Sequence, residues 1–131
     1  MTNKEKARKI ARYAGNKCQI VTNTHVNKGI IIGFYKEWVW VRRYNPVEIS
    51  GYSAKTVHPI LRSIDQITDE EIEVLNNLPC NNFTEIDRAY VVHEFVGYFL
   101  LDKDEADYLR SIGIDCDGLI DAGIARKDDV T

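Results

Sequence analysis

The chain has 131 residues, of which 44% are hydrophobic and 28% charged, with a formal net charge of −3. That composition suits one ordinary globular domain and excludes a disordered polyelectrolyte, and a pI near 5.6 excludes a protein that coats nucleic acid over its whole surface. The total hides a division. Residues 1–62 hold twelve Lys/Arg against three Asp/Glu (net +9), and residues 63–131 hold five against seventeen (net −12), so a basic half suited to an anion precedes an acidic half.

Residues 3–14 read as a short amphipathic helix, with Asn3 as its cap, Ala7, Ile10, Ala11 and Ala14 on one side and Lys4, Arg8 and Arg12 in an i, i+4, i+8 row on another, Lys9 beside them. Gly15-Asn16 stops it. The next stretch reads as β: Cys18–Thr22, a polar loop Asn23–Lys28, then Gly29–Tyr35, whose unbroken Ile run suggests burial on both faces. Lys36-Glu37 suits a tight turn. In Trp38–Tyr44, Trp38, Trp40 and Arg42 alternate with Val39, Val41 and Arg43. Val47–Ile49 and Val57–Leu61 follow as short edge strands beside Pro46 and Pro59. Five short strands with tight turns predict a small antiparallel SH3-like β-barrel, closed or half-closed, or a curled sheet.

Beyond Arg62 the composition changes. Thr68-Asp69-Glu70-Glu71 is a capping box with acids at the positive end of a helix. Thr84–Asp87 begins a second helix, with a strand as the alternative over 84–101. Asp104–Arg110 forms a third, capped near Gly113, and Asp117–Gly123 a last short turn, after which Arg126–Thr131 is expected to fray. The predicted fold class is therefore α+β: an N-terminal helix and small barrel over 1–62, then three to four short helices over 63–131 packed on it as one compact domain.

The leading functional constellation combines the basic helix with the aromatic hairpin. Lys4, Arg8, Lys9, Arg12, Lys28, Arg42 and Arg43 are placed to contact phosphates, and Trp38, Trp40 and Tyr44 to stack on exposed bases. Two bland alternatives stand beside it: the two Trp fill a barrel core, or the basic half lies against the acidic half of this chain or of a second copy, which makes a homo-oligomer. Most acids of the second half already serve helix N-termini.

No enzyme, cofactor or metal is expected. Asp115-Cys116-Asp117-Gly118 fails as a calcium loop, because Gly113 and Ile124 would take its first and twelfth places. His25, His58 and His93 lack ligand spacing, and Cys18, Cys80 and Cys116 form no CxxC. Three reduced thiols, a polar start and a longest apolar run of only Ala89–Leu101 lead to the expectation of a cytoplasmic protein with no membrane partner.

Two stretches, His58–Glu71 (HPILRSIDQITDEE) and Tyr108–Ala125 (YLRSIGIDCDGLIDAGIA), resemble uncharacterised small proteins of Bacteroidetes phages and integrated mobile elements. The resemblance covers about a quarter of the chain and transfers no site residue. It implies a small accessory protein, and so two function classes: one contacting nucleic acid through the basic half, and alternatively a protein-interaction module such as an inhibitor of a host defence protein.

Overall fold

The computed structural model describes residues 1–44, 47–77 and 103–128. Helix α1 spans Asn3–Ala11. Its cap is Thr2, not the expected Asn3: the Thr2 hydroxyl accepts from the backbone N–H of Glu5 at 3.1 Å, and Asn3 already lies in the first turn. Ala7, Ile10 and, just past the helix, Tyr13 are fully buried. Burying Ile10 alone is worth roughly 2 kcal/mol.

The strands are β1 (Lys17–Val21), β2 (Val26–Tyr35), β3 (Trp38–Arg43), β4 (Glu48–Ser53), β5 (Val57–Leu61) and β6 (Arg126–Lys127), in the sheet order β4-β3-β2-β1-β5-β6. Lys36, with φ 55, makes the tight turn between β2 and β3. The first five strands pair antiparallel, and β6 joins β5 in parallel through Ile60↔Arg126 and Leu61↔Lys127. The sheet is open, which corrects the closed-barrel expectation. The edge of β5 that would have to meet β4 to close a barrel is taken by β6.

The expectation of a frayed tail is corrected at Arg126 and Lys127 for the same reason. The Asp128 N–H donates to the Leu61 carbonyl at 2.7 Å, and the His58 Nδ1 lies 2.8 Å from the Ile124 carbonyl, so this segment is tied to β5. The Ile30–Ile32 run is not buried on both faces either. Neighbours on a strand alternate, so Ile31 is buried while Ile32 is 39% exposed, and the pairing of β2 with β3 shifts between Ile31 and Gly33, a β-bulge.

In the acidic half, α2 (Asp69–Asn76) begins with the predicted capping box: the Thr68 side chain accepts from Glu71 N, and the Glu71 side chain accepts from Thr68 N. Helix α3 (Lys103–Ser111) ends at Gly113, whose φ of 78 suits the residue after a helix. Two α-helices thus follow β5 among the described residues. The helix-or-strand expectation for 84–101, and with it Cys80 and His93, lies outside them.

One core lies between α1 and one face of the sheet, where Ala7, Ile10 and Tyr13 pack with Cys18, Ile20, Ile31, Val39, Val41, Val57 and Leu61, closed over by Leu119, Ile124 and Ala125. A second, smaller core gathers Leu75 of α2, Ala106 and Leu109 of α3, Ile114 and Cys116. Ion pairs stitch the halves together. Arg62 beside β5 grips Glu71 of α2, and Arg12 beyond α1 meets Asp117 at 3.3 Å.

Candidate nucleic-acid interface

An antiparallel strand sends alternate side chains to opposite faces. In β3 the buried set is Val39 and Val41, because Ala7 and Ile10 of α1 cover that face. Trp38, Trp40 and Arg42 therefore point the other way. Trp38 is 43% exposed and Trp40 38%, which overturns the reading of the two Trp as core.

Cross-strand partners share a face, so the registers map the rest of this surface. Tyr35 stands opposite Trp38, and Ile30 and Ile49 flank Arg42. Trp40 is flanked by Gly33 on β2 and Gly51 on β4. A Cβ at Gly51 would meet three indole atoms of Trp40 at 3.4 Å, so the ring lies over the β4 backbone. A Cβ at Gly33 would meet nothing within 4 Å. The glycine pair leaves a broad aromatic surface with no side chain rising beside it.

Farther along the same face, Lys17 pairs with Ile30 and Gln19 with Lys28. Lys28, Tyr44 (57% exposed), Lys17, Gln19, Ile30 and Lys127 line an open cleft of about 670 Å³, together with Gly29, Ile60 and Asp128. The exposed face thus runs from Tyr35, Trp38 and Trp40, through Arg42, to a cleft edged by three lysines.

The predicted site residues divide into groups. Trp38, Trp40, Arg42, Tyr44 and Lys28 come together on the open face. Arg43 alternates to the opposite face, where its guanidinium donates to the Tyr52 hydroxyl at 3.1 Å. That bond, ahead of the Tyr52 charge, raises the Arg43 pKa further. Lys4, Arg8 and Lys9 belong to the helix layer, across the sheet from the tryptophans. Arg12 is engaged with Asp117. Lys17 and Lys127 were missed by sequence reasoning. The alternation of Lys17 with buried Cys18 marks a strand face, but nothing local to Lys127 predicts a parallel pairing with β5.

Asp117 has structural duties. It accepts from Tyr13 Oη at 2.7 Å and from the Arg110 guanidinium at 2.9 Å twice over. Burial pushes its carboxyl up, but bonds from Arg110 and Tyr13 outweigh that and hold it below the usual aspartate value. Asp115 caps the following turn, accepting from Leu119 N and Ile120 N at 2.9 Å each. Burial drives the Cys18 thiol up to about 12 and the Cys116 thiol up to about 11, so both stay protonated and poor nucleophiles. Among the described residues no three His, Cys, Asp or Glu side chains group as a metal site, and no helix is long and apolar enough to cross a membrane. In comparisons with known proteins the chain matches no protein-family model, no curated protein and no solved structure.

Proposed function

We propose that this chain is a non-enzymatic accessory protein of a phage or mobile element that binds single-stranded nucleic acid on the open face of its sheet. The observation that carries the reading is the outward placement of Trp38 and Trp40 beside Arg42 on a surface edged by lysines. Bases stack on aromatic rings and phosphates bind Lys and Arg, and a surface offering both suits an unpaired strand.

Magnitudes favour a single strand over a duplex. Same-face residues on a strand, such as Trp38, Trp40 and Arg42, are about 7 Å apart, twice the roughly 3.4 Å step of bases stacked within one strand of a duplex. Splayed bases match that spacing. The face is also at least four strands wide at about 4.8 Å each, too broad for a major groove of about 12 Å that admits a helix or a two-stranded ribbon.

Trp38 and Trp40 are the two tryptophans of the chain, so tryptophan fluorescence, excited at the red edge where the seven tyrosines scarcely absorb, reads this face. Titration with an oligothymidine should quench it, with an affinity that falls steeply as salt rises. Absence of quenching at low salt would remove the reading and leave the protein-interaction alternative. The exposed Val47 and Ile49 at edge strand β4 would then be the first surface to test against a protein partner.

A further inference from the structure

We infer that the cleft between β2, β1 and β6 is a nucleotide-phosphate subsite, with Lys17, Lys28 and Lys127 holding the phosphate and Tyr44 taking the attached base or sugar. The inference deepens the reading of the open face as a nucleic-acid surface and rests on it.

Three strands each bring one lysine to the lining of the same concavity: Lys17 from β1 and Lys28 from β2, the first hairpin, and Lys127 from β6 near the other end of the chain. Asp128 lines the same cleft, so its formal balance is three cations against one carboxylate. The Asp128 charge also acts on Arg62, behind the cleft. Three lysines lining one cleft with one aromatic ring and an amide, that of Gln19, are the donor set for a phosphate ester carrying a ring. The net positive lining favours an anion over a cation. Ile30, the cross-strand neighbour of Lys17, and Ile60 add apolar lining that gives a sugar or base edge a seat.

The cleft also lies in line with the rest of the face. Along β3 the outward residues run Trp38, Trp40, Arg42, and Tyr44 continues that row into the cleft. A strand that stacks on the tryptophans and passes Arg42 therefore arrives at the lysines. The phosphate it places there is either an internal diester or a terminal monoester. A free mononucleotide offers the same group.

The test compares wild type, the Lys17→Gln/Lys127→Gln double variant and the Trp38→Ala/Trp40→Ala double variant. Both variants carry substitutions at exposed positions, and melting curves confirm their fold. Fluorescein-labelled dT12, with and without a 5′-phosphate, is titrated by anisotropy over a salt series. The lysine variant should bind about tenfold more weakly, and its log–log salt slope should fall by roughly 0.7, the value for the one single-strand phosphate that is no longer neutralised.

A stronger effect on the 5′-phosphorylated oligomer assigns the cleft to a strand end. An equal effect on both assigns it to an internal phosphate. Wild-type affinity and slope in the lysine variant, with binding abolished in the tryptophan variant, would overturn the subsite and leave the open-face reading standing. If dT12 binds no variant, the open-face reading falls. Calorimetry with thymidine monophosphate then decides the cleft: binding that the lysine variant abolishes keeps it as a mononucleotide site, and no heat ends it.

Discussion

The phenol of Tyr13 donates to Asp117 Oδ2 at 2.7 Å and accepts the backbone N–H of Cys116 at 3.1 Å, so one oxygen joins the end of α1 to the turn after α3. Burial, then the nearby Cys116 and Asp117, raise the phenol's pKa so far that it stays protonated and remains the donor. Tyr13→Phe keeps the ring and leaves the buried Cys116 N–H without this acceptor. Losing one such buried partner costs about 1–3 kcal/mol. Urea unfolding should show that loss with an unchanged m-value, and a difference below a few tenths would mean the phenol is dispensable.

Stability should fall with acid in two steps. His58 is held below its usual 6.5, first by burial, with its bond to the Ile124 carbonyl opposing. A lowered histidine favours the neutral form in the fold, so its contribution is full above the unfolded pKa and is lost as pH drops through 6.5 towards the folded value. Glu71, held down first by Arg62, and Asp117 lie below 4.5 and 3.8 respectively, so their contribution disappears on acidification below about pH 4. Urea midpoints from pH 8 to 2.5 should show both losses. His58→Gln should flatten the first and Asp117→Asn should shrink the second; unaltered profiles would refute the assignment.

Two glycines of β2 should respond in opposite ways. A Cβ at Gly29 runs into the Val41 side chain and comes within 2.9 Å of the Arg42 carbonyl, whereas one at Gly33 meets nothing. Gly29→Ala should destabilise by about 1–3 kcal/mol, as overpacking does. Gly33→Ala should stay within about 0.5 kcal/mol of wild type. Equal thermal melts for the two would contradict the close approach of β3 to Gly29.

Charge on the two sides of the sheet should count differently for oligonucleotide binding. Arg42 shares the face of Trp40, and Arg8 sits in the helix layer behind it. Arg42→Ala should lower the salt slope by about 0.7, and Arg8→Ala should leave it as it was. The reverse result would move the binding surface to α1.

Removing one ring should separate binding from folding. Trp40 is partly exposed and rests over Gly51. Trp40→Ala should weaken dT12 binding by about 1–3 kcal/mol, the worth of one stacked base, while the melting temperature changes little. A large loss of stability with unaltered affinity would make Trp40 a packing residue.

Much of this was legible locally and little of it globally. The alternation of Trp38, Trp40 and Arg42 with Val39 and Val41 is written in β3, and the box from Thr68 to Glu71 announces α2. Which side of β3 faces solvent is not written there, since both sides are apolar. Ala7 and Ile10 decide it by covering the valines. The Ile30–Ile32 run misleads because three apolar residues in a row hide the alternation that buries Ile31 and leaves Ile32 exposed. Lys17 and Lys127 come to line one cleft only because β6 adds to β5, a pairing of two residues with no local signature.

That short parallel strand has a consequence for synthesis. A nascent chain emerges N-terminus first, so the tryptophan face, Arg42 and two of the lysines are made early, as one run of hairpins. Lys127 can take its place only after the acidic half has followed and its final turn has docked over α1. A ribosome-bound fragment that ends before residue 119 also lacks Leu119, Ile124 and Ala125, which close over the core between α1 and the sheet. In the finished chain β6 lies along β5 and Lys127 lines the cleft, so the cleft is complete only late in translation.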